Sequence, residues 1–152
     1  EKLGVDYIDF YLIHALSKDR WEHDLKLGIP ELLEKYKEQG KIRHCGFSFH
    51  DSADVLDEAL TKHPEAEFVQ LQINYIDWES DNVQARKCYE VCLKHNKPII
   101  IMEPIKGGIL ADPIDTVKEI FDKENNGLSY ASYRDYNKRR RNINRCMRFF
   151  HC

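Results

Sequence analysis

The chain has 152 residues, 42% of them hydrophobic and 32% charged, with a formal net charge of -3. One domain is expected from that length, and the charge balance supplies no global attraction toward nucleic acid or an anionic membrane. No apolar run approaches the ~20 residues that a membrane-spanning helix needs, and Glu1-Lys2-Leu3-Gly4 opens without an initiator Met or a signal peptide, so the expectation is a stretch of a longer protein.

Taken in chain order, the first apolar, β-rich run covers residues 7–13. Residues 29–39 then carry Ile29, Leu32, Leu33 and Tyr36 on one helical stripe, with Pro30 early and Gly40 as the stop. A second strand is predicted over 44–49. The helix that follows spans 52–63, with Val55, Leu56, Ala59 and Leu60 as its apolar face and Asp51 or Ser52 as N-cap. A third strand covers 68–73, a helix 82–95, a fourth strand 98–102, and another helix begins at Ile114 behind Asp112-Pro113. The four runs are short and nearly continuous in hydrophobicity, which predicts strands buried on both faces of a parallel sheet.

Strict alternation of strand and helix implies right-handed βαβ units. A doubly wound dinucleotide fold should show a glycine-rich turn after its first strand, and Ile13-His14-Ala15-Leu16-Ser17 has none. The strands instead share polar residues at or just after their C-terminal ends: His14, Ser48, Gln72 and Glu103. Barrel enzymes build their sites at that rim. The fold expected is therefore α/β, a partial (β/α)8 barrel with about half of its units.

Five cysteines at irregular spacing (Cys45, Cys88, Cys92, Cys146, Cys152) suit reduced thiols of a cytoplasmic protein. Cys88, Cys92 and His95 lie close in sequence, but without a C-x-x-C hook they are not expected to hold a metal or an iron–sulfur cluster. From about Arg134 the apolar period disappears and Lys138-Arg139-Arg140-Arg141 forms a basic cluster. Residues 1–133 are thus read as the partial barrel. Residues 134–152 are read as a basic tail, either disordered or a sequence artefact standing where a further strand would lie. A nucleic-acid role for that tail is disfavoured, because the cluster has no folded platform.

The motifs now allow a comparison. Leu3-Gly4-Val5-Asp6-Tyr7-Ile8-Asp9, running on to His14, resembles the fourth barrel strand of the aldo/keto reductases. Gly40-Lys41-Ile42-Arg43-His44-Cys45-Gly46-Phe47-Ser48 resembles the fifth. Val69-Gln70-Leu71-Gln72-Ile73-Asn74-Tyr75 is similar to the sixth, and Met102-Glu103-Pro104-Ile105-Lys106-Gly107-Gly108 to the end of the seventh. Phe47-Ser48-Phe49-His50-Asp51-Ser52 and Met102-Glu103-Pro104 are nearest to the subgroup that carries a C-terminal ferredoxin-like segment.

The resemblance implies NAD(P)H-dependent reduction of aldehydes or ketones. Its residues would be His14, which hydrogen-bonds the substrate carbonyl oxygen as a neutral imidazole N–H donor, and Ser48 and Gln72, which hold the nicotinamide carboxamide. Met102 would stand where many members stack an aromatic ring on the nicotinamide; a polarizable thioether can pack there instead. Ile105 and Gly107 would lie in the loop that approaches the cofactor pyrophosphate. The family's Asp, Tyr and Lys catalytic partners match no residue of the chain, so the 152 residues alone are expected to be inactive, with bare strand edges open to self-association. The alternative is a non-catalytic barrel-type binding subunit.

Overall fold

The computed structural model describes residues 4–111 and 114–124, and its backbone divides into two units, the first ending at Met102 and the second beginning at Glu103. In the first unit the order is β1 (Ile8–Leu16), α1 (Lys18–Lys26), α2 (Ile29–Glu38), β2 (Ile42–Phe49), α3 (Ala53–Lys62), β3 (Phe68–Gln72), α4 (Ala85–Lys94) and β4 (Ile99–Met102). The second contains a short 3-10 segment (Lys106–Ala111) and α5 (Asp115–Glu124). The basic tail lies outside the described residues.

Among the described residues the four strands are parallel and adjacent in chain order, β1-β2-β3-β4. This is the arrangement of consecutive βα units in a (β/α)8 barrel, here as an open sheet. The alternation of side chains across a strand divides its residues between two faces. Phe47, Phe49, Val69, Leu71 and the half-buried Ile13, Ile99 and Ile101 join a core with Leu56 and Leu60 of α3 and Cys88 and Cys92 of α4. Register then places Leu12, Gly46, Ser48, Phe68, Gln70, Gln72, Ile100 and Met102 on the other face. Burial on both faces, expected from the sequence, does not hold for the outer strands: Phe10 of β1 is 47% exposed and all of β4 is only half-buried.

Local chemistry ends the helices where the sequence does. After α2, Gly40 takes a left-handed conformation (φ 69°) while Gly40 N–H donates to Lys37 O and Lys41 N–H to Tyr36 O. That pattern closes a helix by satisfying its last carbonyls. Asn96 does the same for α4, with φ 53° and the bonds Asn96 N–H to Leu93 O and Lys97 N–H to Cys92 O.

One helix was not expected. α1 has no buried residue, so no apolar stripe announces it. Its first N–H groups need partners, and Asp51 Oδ2, from the loop after β2, accepts from Lys18 N–H at 3.0 Å.

Candidate active site on the strand rim

Parallel strands deliver their C-terminal ends to one edge of the sheet, and that edge carries His14, Ser48, Gln72 and Met102. Gln72 and Met102 are direct register partners on β3 and β4. Ser48 pairs with Gln70, one turn of the alternation below Gln72. Between β1 and β2 the register moves from Ile13–Phe47 to Leu16–Phe49, so His14 and Ala15 together oppose Ser48. Such a bulge bends the strand and re-aims its side chains. Ala15 is the residue that absorbs it, with φ 54°.

Ser48 holds this bulge. Ala15 N–H donates to Ser48 Oγ at 2.7 Å, and the serine is 2% exposed. Its hydroxyl hydrogen is received by no acceptor among the described residues and remains available to donate. His14 is exposed at the rim, and its backbone carbonyl accepts from Arg20 Nη1 at 3.4 Å.

Gln72 belongs to a network that sequence reading missed. Its Nε2 donates to Asp77 Oδ2 at 2.8 Å, and Asn74 Nδ2 donates to the same oxygen at 2.7 Å. Asp77 N–H in turn donates to Asn74 Oδ1 at 2.9 Å. Asn74 and Asp77 are 7% and 4% exposed, so these bonds satisfy groups with little access to water. The available signal was three polar side chains, Gln72, Asn74 and Asp77, in an apolar stretch at a strand end.

Below the rim, Gly46 makes room for Phe68. A Cβ at Gly46 would meet the Phe68 carbonyl oxygen and lie 2.7 Å from its ring. The glycine of the Gly46-Phe47-Ser48 stretch is therefore a packing requirement on the face that carries the rim residues.

A cleft of about 140 Å³ opens beside the rim, lined by Phe49, Asp51, Gln72, Asn82 and Cys88 among others. It reaches Gln72 but none of His14, Ser48 and Met102; of these His14 is exposed, Met102 half-buried and Ser48 buried.

Ile105 and Gly107 belong to the second unit. There the chain turns through left-handed conformations at Glu103, Lys106, Gly107 and Gly108. A Cβ at Gly107 would meet nothing within 4 Å, so backbone geometry, not crowding, favours glycine at φ 62°.

The thiols are poor candidates for chemistry. Burial pushes Cys88 up to about 11 and Cys92 up to about 12, which keeps both protonated and unreactive at neutral pH. His95, read beside them, lies with Nε2 at 2.5 Å from Asp57 Oδ1. Among the described residues no group of three or more His, Cys, Asp or Glu is arranged to hold a metal, and no helix is long and apolar enough to cross a membrane.

With this geometry in hand, comparison with known proteins is specific. The family model of the aldo/keto reductases matches residues 1–147. Glyoxal reductase of Bacillus subtilis (strain 168) is 26% identical over 137 residues, covering 88% of this chain and 44% of that protein. The NADH-specific methylglyoxal reductase of Escherichia coli (strain K12) is 26% identical over 114 residues, covering 75% of this chain and 33% of that one. Among solved structures, an aldo/keto reductase from Brucella melitensis superposes with a TM-score of 0.54 at 28% identity, covering 86% of this chain and 45% of its own. This chain thus spans less than half the length of each of these relatives. It belongs to the aldo/keto reductase family.

Proposed function

We propose that this chain contributes the carbonyl-polarising histidine and the nicotinamide-orienting groups of an NAD(P)H-dependent carbonyl reductase. The observation that carries the reading is the delivery of His14, Ser48, Gln72 and Met102 to one edge of a parallel sheet. The residues fit a nicotinamide: Ser48 keeps an O–H to donate, Gln72 keeps a carbonyl oxygen without a partner among the described residues, and Met102 offers a thioether beside it.

In this reading the His14 imidazole donates an N–H to the substrate carbonyl oxygen, where negative charge develops during reduction. Ser48 and Gln72 hold the carboxamide, and so choose which ring face meets the substrate. Met102 packs against the ring. The bound nicotinamide supplies the hydride. Ile105 and Gly107 are assigned to cofactor phosphate contacts on family resemblance. Small aldehydes of the methylglyoxal class are the proposed substrates, and the cytoplasm is the proposed compartment, in keeping with unpaired thiols at Cys45, Cys88 and Cys92.

Of the family's four catalytic groups only the histidine is matched here, by His14, so the 152-residue chain is expected to bind a nicotinamide nucleotide without turning over an aldehyde. Titration with NADH and NADPH, followed by nicotinamide fluorescence, should saturate. Gln72→Leu should weaken binding about 10-fold, the loss of one or two well-placed hydrogen bonds. Lys62→Ala, on α3, should change nothing. Absence of saturable binding, or equal binding by Gln72→Leu, would count against the proposal, and steady oxidation of NADH by methylglyoxal would refute the expected inactivity.

A further inference from the structure

The Gln72 side chain poses a question of polarity. A glutamine amide has nearly the same shape either way round, and only its neighbours decide whether oxygen or NH2 faces outward. Here the neighbour is Asp77, whose carboxylate accepts hydrogen bonds and receives two amide donors on Oδ2. Asn74 cannot take over that role by flipping, because its Oδ1 already accepts from Asp77 N–H. A flipped Gln72 would set its oxygen against Asp77 Oδ2, two acceptors in contact at a residue only 4% exposed. An unmade bond in such a place costs far more than one at the surface.

We infer that Asp77 is a positioning residue: it fixes Gln72 so that the glutamine carbonyl oxygen is the end presented to a ligand at the rim. This inference rests on the cofactor reading above and sharpens it into a statement of selectivity. An outward carbonyl oxygen accepts, and Ser48, whose oxygen receives Ala15 N–H, has its O–H left to donate. An acceptor on β3 and a donor on β2, on the same face of the sheet, match the NH2 and C=O of a primary carboxamide. They do not match a carboxylate, whose two oxygens both accept. The rim therefore selects the nicotinamide form of a nucleotide against the nicotinic acid form, by leaving a buried acceptor facing an acceptor in the wrong complex.

The test uses the full 152-residue chain with two probes, nicotinamide mononucleotide and nicotinic acid mononucleotide, alongside NMR of the Gln72 side-chain amide. In the unvaried chain the Gln72 NH2 should exchange slowly with solvent, and the nicotinamide form should bind about 10-fold more tightly or better. Asp77→Leu should speed that exchange and bring the two probes to within about 2-fold of each other. Asp77→Asn keeps one carbonyl acceptor and should restore part of the preference, which a purely structural role would not predict. If Asp77→Leu does not fold, the unvaried chain and Asp77→Asn still report both quantities. Rapid Gln72 exchange in the unvaried chain, or an undiminished preference in folded Asp77→Leu, overturns the inference while leaving the cofactor reading intact. Failure of both probes to bind while Gln72 stays protected overturns the cofactor reading, and the selectivity falls with it.

Discussion

Gly46 shows how much one position can carry. Its missing side chain lets the Phe68 ring lie against the β2 backbone on the face that holds Ser48. Gly46→Ala has no escape route, because one obstacle is backbone oxygen and the other an aromatic ring 3% exposed. Overpacking of this kind typically costs about 1–3 kcal/mol. The expected outcome is a thermal midpoint lowered by several degrees, with the Phe10–Phe68 and Phe10–His44 ring contacts displaced. Calorimetry checks it, and an unchanged midpoint would show that β2 and β3 can separate without penalty. At the same scale, the positions of His14, Ser48, Gln72 and Met102 near strand ends were legible because each stands at or beside the end of a run that reads as a strand. Asp77 was not legible: its value lies in a hydrogen bond to a residue five positions back, across a turn that periodicity does not describe.

Among the elements, β1 to β4 and α2 to α4 follow from apolar period and, for α2, from the stop at Gly40. α1 escaped because Lys-Asp-Arg-Trp-Glu-His-Asp-Leu-Lys carries no repeated apolar stripe, and what starts it comes from elsewhere in the chain. Asp51 accepts from Lys18 N–H, and in the same region Gln84 Oε1 accepts from Ala53 N–H, capping α3 from across the fold. Such caps across distant segments leave no local signature.

The opposite end of the sheet is tied by Glu67, which accepts from Lys37 Nζ at 2.6 Å and Cys45 N–H at 3.1 Å, with His44 Nδ1 at 2.8 Å. Burial alone would raise its pKa, but the bonds from Lys37, His44 and Cys45 outweigh it and hold the carboxyl down to about 2. A group depressed on folding stabilises the fold above its unfolded value near 4.5 and loses that contribution as pH falls toward 2. Urea unfolding of Glu67→Gln should therefore show reduced stability at pH 7 and a shallower decline between about pH 4.5 and 2 than the unvaried chain. Parallel acid limbs in the two proteins would contradict the assignment.

At the scale of the molecule, the decisive feature is that the four strands among the described residues run one way and so gather their polar ends on one rim. β1 and β4 each have one hydrogen-bonded neighbour among the described residues, and on β1 Phe10 and Tyr11 are 47% and 40% exposed. Unprotected edges of this kind favour further strand pairing. Self-association through them is the proposed behaviour of the chain in isolation. The most direct measurement of the account is a map of where nicotinamide mononucleotide binds, by NMR of chain labelled at the methionine methyl and the histidine and glutamine side chains. Shifts confined to His14, Gln72 and Met102, with none at His63 on the helix side or His44 at the far end of β2, are the predicted result. Shifts at His63 or His44 with silence at Gln72 and Met102 would contradict it.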